Sequence, residues 1–233
     1  MLAERYDCLL FDLDGVLYRG DRTVEAAPPT MAELRRCGVR VVFLTNNSSR
    51  TPEQVADKLR SHGIEADPGE VVTSALATAE LLAERGGGRA FVIGMDGVRK
   101  ALAGAGIEVV DGVPETADLV VIGFDGEATY AQLKTASLLV ERGARLVATN
   151  ADASFPAADG LWPGAGALLA VVTTTTGAEP EIVGKPFAPL FESGASLEPF
   201  LPVVEFGPHG HISSRASASR LPTDEGKAAE PPA

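Results

Sequence analysis

The stretch "LLFDLDGVLYRG", Leu9 to Gly20, ends an apolar run on two carboxylates at alternate positions, Asp12 and Asp14, followed by Gly15. The run reads as a buried strand, and in a parallel sheet ligands bind beyond the carboxyl ends of the strands. Asp12 and Asp14 fall at that end, so both can point into one crevice, and Gly15 lets the backbone turn close to a bound group. Neighbouring acids repel each other unless a proton or a cation sits between them. A hard divalent ion such as Mg²⁺ matches oxygen ligands of this kind, which makes Asp12 and Asp14 candidate metal ligands. With the pair held ionised, Asp12 is a candidate nucleophile and Asp14 a candidate general acid and base. The bland alternative is a solvated acid pair in a loop.

Two further stretches end in the same way. "FLTNNSS" offers the hydroxyl of Thr45, then donors and exposed N–H groups at Asn46, Asn47 and Ser48. "VGKP" offers Lys185 as a point positive charge. Nucleophile, acid, hydroxyl, cation and metal together suit phosphoryl transfer better than carbon chemistry. Thr45 and Asn46 are also common helix caps, and Lys185 before Pro186 also fits an ordinary surface lysine.

Such groups need strands and helices to position them. "CLLFDLD" precedes the helical pattern "TMAELRRCG", and "VRVVFLTN" precedes "TPEQVADKLRSHG". Strands alternating with helices predict an α/β fold with a parallel sheet, and continuous apolar strands fit a sheet covered on both faces. Thr51 as cap, Pro52 in the first turn and Gly63 at the end delimit one helix, with Val55 and Leu59 on its inward stripe. A second series runs through "RAFVIG", "IEVV", "ADLVVIGFD", "YAQLKTASLLVERG" and "ARLVATN", so two layered units are expected. "PGAGALLAVVTTTTG" predicts a helix that frays through its threonines, which are poor helix formers. "EIVGKP" predicts one more strand.

Composition narrows the partners. The chain has 233 residues, 45% hydrophobic and 22% charged, which suits one large or two small domains. A formal net charge of -12 argues against nucleic acid, whose binding needs clustered Lys and Arg; a small anionic substrate needs only a local positive site. Cys8 and Cys37 lie in apolar segments without metal-site or redox spacing, and read as buried thiols of a reducing compartment. "MLAERYDCLL" lacks the pattern of a secretory signal, and no apolar stretch approaches the ~20 residues of a membrane helix. A cytoplasmic protein without a membrane partner is expected.

Taken in order, "DLDGV", "LTNNS" and "GKP" resemble the first three motifs of the haloacid dehalogenase superfamily of hydrolases. The cap stretch "VVIGFD", followed by "ATNADASFPAADGLWPGAGAL", is similar to its NagD-like, p-nitrophenyl phosphatase-like branch, subfamily IIA. The resemblance runs from about Tyr6 to Glu192. It implies a Rossmann-like core of residues 1–73 plus 178–206 and an inserted α/β cap of residues 74–177. By the same resemblance, Asp12 attacks a phosphate monoester to form an aspartyl-phosphate, and Asp14 protonates the leaving alcohol and then activates water. Thr45, Asn46, Asn47, Gly15 and Lys185 hold the phosphoryl group, Asn150 and Asp152 face a small phosphorylated metabolite from the cap, and Mg²⁺ is the cofactor. Caps of this branch often pair, so a homodimer through the cap is among the expectations.

The family's fourth motif, with one or two further aspartates beyond the lysine, has no counterpart here. "PFLPVVEFGPHGHISSRASAS" carries a short apolar run, Leu201 to Val204, with Glu205 as the only adjacent acid, and Asp224 lies farther on. The C-terminal part of the core reads as truncated or divergent, which predicts weak Mg²⁺ binding, an exposed apolar sheet edge and impaired activity. The alternative function is a catalytically defective remnant that binds phosphorylated ligands or dimerises. Residues 207–233, rich in Gly, Ser, Ala, Pro and charge, predict a disordered tail, in which His209 and His211 carry no role. His62 reads as a solvated or capping residue, and Trp162 as a packed cap residue.

Overall fold

A computed structural model of the chain describes residues 6, 8–157, 159–196, 203–206 and 212–215. The chain opens with β1 (Cys8–Asp12), a small hairpin of β2 (Tyr18–Arg19) and β3 (Arg22–Thr23), α1 (Ala27–Arg36) and β4 (Arg40–Thr45). Next come α2 (Pro52–Ser61), β5 (Val71–Thr73) and α3 (Ser74–Glu84). The second series holds β6 (Arg89–Ile93), α4 (Asp96–Gly104), β7 (Glu108–Val110), β8 (Leu119–Ile122), α5 (Tyr130–Glu141) and β9 (Arg145–Ala148). The hairpin β10 (Ser154–Ala157) and β11 (Gly160–Pro163), α6 (Ala165–Thr176), β12 (Glu181–Ile182) and α7 (Ala188–Ser196) follow. β13 (Val203–Phe206) and β14 (Ile212–Arg215) complete the described elements.

Two five-stranded sheets form, in the orders β14-β13-β1-β4-β5 and β12-β9-β8-β6-β7. All pairings are parallel except β13 with β14, as the α/β expectation requires. Three apolar clusters stack the sheets and helices into layers. α1 and α2 cover one face of the first sheet through Met31, Val55 and Leu59, against Leu9, Val41 and Phe43. α3, α4 and α7 lie between the sheets, so Leu10, Val42 and Leu44 share a core with Val92, Leu119 and Val121. α5 and α6 cover the far face through Leu139, Leu169 and Val172. Phe43 has 0% exposure; burying such a side chain contributes about 1.5–3 kcal/mol.

Local signals act as the sequence suggests at α2. Thr51 Oγ1 accepts from Gln54 N, Gln54 Oε1 accepts from Thr51 N, and Gly63 takes a φ of +76° just past the helix. At α6 the expectation fails. The helix runs through Thr176, and Thr175 and Thr176 donate back to the carbonyls of Val171 and Val172, so their hydroxyls have partners inside the helix. Cys8 is buried as expected but Cys37 is exposed, because it caps the C-terminus of α1 at the surface.

The C-terminal region departs further. β13 starts two residues later than the apolar run and pairs in parallel with β1, so β1 is not an edge of the sheet. Its register sets Glu205 opposite Leu10, two residues short of Asp12. Ile212–Arg215, inside the stretch expected to lack structure, pairs antiparallel with β13; a strand with an open edge offers unpaired backbone groups that a following segment can meet. Asp224, His209 and His211 lie outside the described residues. No helix among the described residues is long and apolar enough to cross a membrane.

A fork of two hydrogen bonds from Arg35 to Glu70, each 2.7 Å, ties α1 to the turn before β5. Burial pushes the Glu70 carboxyl up, but the bonds from Arg35 and from Asp67 N outweigh it and hold the pKa below the ordinary 4.5. A depressed folded pKa means stability that is present above the unfolded value and lost as pH falls through the folded one. Glu70→Gln is therefore expected to cost about 1 kcal/mol near neutral pH. Urea melts should show that difference shrinking below the ordinary glutamate pKa; a pH-independent difference would reject the assignment.

Candidate active site

The carboxyl ends of both sheets open on one cleft of about 1290 Å³. β1 brings Asp12, with Asp14 just beyond it; β4 brings Thr45, Asn46 and Asn47; β9 leads to Asn150 and Asp152; the residues after β12 bring Lys185. All line the cleft. Gly15 does not: it sits behind the wall in a turn, with φ +86° and its N–H on the Tyr18 carbonyl at 2.7 Å. Its place is to bend the chain after Asp14.

Asp12 is held on one side only. Its Oδ1 accepts from Leu13 N at 2.8 Å and forms an ion pair with Lys185 Nζ. The side chains of Lys185 and Asp12 are only 13% and 20% exposed, so water screens this pair less than a surface one. Oδ2 has no hydrogen bond among the described residues, and Asp12 lines the cleft.

Asn46 fastens the other tips to this pair. Its Oδ1 accepts from Lys185 N at 2.8 Å, and its Nδ2 donates to the Lys185 carbonyl at 3.2 Å and to Asp152 Oδ2 at 3.1 Å. Its carbonyl accepts from Ser74 Oγ at 2.7 Å and Asn150 Nδ2 at 2.8 Å. Asn150 is thus a buried bracket whose Oδ1 also accepts from Asp152 N. Gly184 lets these segments close up: a Cβ there would lie 2.5 Å from Thr149 O and 2.7 Å from Asn46 Oδ1. Thr45, 2% exposed, turns its hydroxyl to accept from Asn47 N at 3.1 Å. The side chain of Asn47 accepts from Ser49 N and Oγ, fixing the loop that leads into α2.

Asp14 stands on the rim and reaches solvent through the cleft, yet the walls around it strip enough water to matter. Desolvation pushes its carboxyl up, Lys58 pulls it down, Asp12 pushes it up, and Lys185 and Arg50 pull it down. A carboxyl raised in this way can carry a proton to a departing oxygen.

Asp12 and Asp14 supply two carboxylates at one strand tip, and Mg²⁺ is commonly held by one or two carboxylates plus waters and substrate phosphate oxygens. The residues present fit the ion with several positions left open. Among the described residues no cluster of three acids, histidines or cysteines that could hold a metal ion exists.

Other contacts of the site carry no local sequence signal. Ser48, 0% exposed, joins the sheets: its Oγ accepts from Thr149 Oγ1 at 3.0 Å and lies 3.3 Å from Phe124 N. Arg50, Gln54, Asp57, Lys58 and Ser61 line the cleft from α2 and its approach; their spacing of three and four was visible, but not which way that stripe faced. Phe155 stacks edge-on to both Phe124 and Trp162, and Trp162 is 45% exposed, so the latter is a rim residue more than a packed one. His62 caps α2 as expected, but it is buried against Tyr18 instead of solvated.

A family profile described as haloacid dehalogenase-like hydrolase matches residues 9–108. An acid sugar phosphatase of Staphylococcus saprophyticus is 41% identical over 184 residues, which cover 78% of this chain and 70% of that one. The chain belongs to the haloacid dehalogenase-like hydrolase family. The fold agrees. A mutant of the thermostable p-nitrophenylphosphatase of Bacillus stearothermophilus superposes on this hydrolase with a TM-score of 0.74 at 40% identity, covering 82% of this chain and 74% of the other. The glycerol phosphate phosphatase of Mycobacterium tuberculosis, in complex with magnesium, gives 0.82 at 33% identity over 88% of this chain and 62% of the other.

Proposed function

We propose that this hydrolase cleaves a small phosphate monoester through an aspartyl-phosphate on Asp12. The observation that carries the reading is the placement of Asp12 against Lys185, with Thr45 and Asn46 on the adjoining strand tip. Lys185 and the Leu13 N–H hold Oδ1, which leaves Oδ2 to attack phosphorus. As the Oδ2–P bond forms, the bond from phosphorus to the ester oxygen breaks, and Asp14 gives its proton to the departing alkoxide. Asp14, now ionised, takes a proton from water, whose oxygen attacks phosphorus. The Oδ2–P bond breaks, and inorganic phosphate and free Asp12 result. Lys185, the Thr45 hydroxyl and the Asn46 backbone face the phosphoryl oxygens, where negative charge gathers. Mg²⁺, which Asp12 and Asp14 would hold, would supply positive charge that lets a dianionic ester approach the Asp12 carboxylate.

In this reading residues 74–177, which carry strands β6 to β9 of the second sheet and the β10–β11 hairpin, act as the cap, and Asn150 and Asp152 meet the substrate from it. Activity is low, because the ion has two protein carboxylates and no third among the described residues. The same observation favours, second, a chain that binds phosphorylated ligands without turning them over. Release of phosphate from p-nitrophenyl phosphate that needs Mg²⁺ and stops on chelation supports the enzyme; ligand-induced thermal stabilisation with no release supports the binder.

A further inference from the structure

Lys58 projects from α2 into the cleft on the side of Asp14. Its ammonium lies 4.1 Å above the centre of the Tyr18 ring. Tyr18 is itself 3% exposed and stacks on His62 at 4.7 Å with 13° between the rings. His62 Nδ1 is 2.8 Å from Thr23 Oγ1. A lysine normally swings on a four-carbon stem; here an aromatic floor, braced from behind, fixes the charge.

The other charges of the cleft are mostly committed. Lys185 pairs with Asp12, and Arg99 with Asp111 and the carbonyls of Val92 and Gly94. Asp57 pairs with Arg60 and Asp96 with Lys100. Lys58 has no ion pair among the described residues, although Asp14 and Asp21 lie near enough to be felt. Burial lowers its pKa, so the ammonium sits where water pays little of its solvation and an anion gains from meeting it.

Position gives this charge its use. On the proposed reading, Asp14 protonates the leaving oxygen, so the leaving group passes on Asp14's side while the transferring phosphoryl group faces Lys185. We infer that Lys58 is a specificity-determining residue, favouring phosphate monoesters whose leaving alcohol carries a second anionic group close to the ester oxygen. Arg50, which lines the cleft beside it, adds charge of the same sign. Asp125 and Glu127, which line the cleft from the second sheet, oppose a long anionic tail and keep the preferred leaving group short.

The inference rests on the phosphatase reading but is tested by binding, without turnover. 3-Phosphonopropionate and propylphosphonate have the same length, resist hydrolysis, and differ by a carboxylate in place of a methyl. Calorimetric titration of the full chain with Mg²⁺ should show the carboxylated ligand binding about ten- to hundredfold tighter, as one charge-assisted contact gives. Lys58→Met should remove the preference, and Lys58→Arg should keep most of it. Unchanged thermal melting confirms that the variants fold. Equal binding of the two ligands by the wild type, or a preference that survives Lys58→Met, overturns the inference. A preference seen in a chain that releases no phosphate from p-nitrophenyl phosphate keeps the inference and rejects the enzyme. Binding of neither ligand rejects both.

Discussion

Asp12→Asn is expected to slow phosphate release from p-nitrophenyl phosphate by about 10⁴-fold or more, the scale seen when a covalent nucleophile is removed. The substitution keeps the shape and the Leu13 N–H contact at Oδ1. It removes the anionic oxygen that attacks, since an amide nitrogen in that place has no available lone pair. Loss of fold would not explain the result, because Asp12 lies at a strand tip and not among the apolar clusters. Melting temperature should therefore stay close to that of the wild type. Turnover within tenfold of wild type would mean that another group, or water directly, attacks phosphorus.

Lys185→Met should lower kcat by about 10²–10³-fold, the usual effect of removing one fixed charge from the place where transition-state charge gathers. It has a second, opposite consequence. Lys185 occupies Asp12 Oδ1, so it competes with a cation for the same carboxylate. Without it the half-saturating Mg²⁺ concentration should fall even as kcat falls. A merely disordered site would raise the Mg²⁺ requirement and lower kcat together, so a Mg²⁺ titration of the variant separates the two. Asn46 holds the lysine backbone from both sides, which is why the side chain is already aimed before any ligand binds.

The chemistry was legible because it stands where apolar runs stop. Asp12, Thr45 and Lys185 each follow such a run, and parallel sheets put those ends on one side. What no local pattern gives is lateral order. β12 has two residues, and its pairing with β9, which carries Lys185 toward Asp12, depends on a neighbour more than thirty residues away in sequence. Ser48 reads as one of the donors exposed at a strand tip, yet it is buried between the sheets, where Gly123 comes close enough that a Cβ would lie 2.8 Å from its Oγ. The threonines of α6 mislead because average propensity ignores the packing of Leu169 and Val172 into the core, which holds the helix in place. Nothing local marks Lys58, since the ring beneath it comes from β2, some forty residues earlier.

The account stands or falls on a covalent bond to Asp12. The full chain should be mixed with a phosphate monoester and Mg²⁺, quenched in acid within the first turnover, digested and mapped by mass. A single phosphoryl group on the peptide containing Asp12, removed by hydroxylamine and missing from Asp12→Asn, is the predicted result. Steady release of phosphate with no such adduct, or an adduct on a different residue, would contradict it.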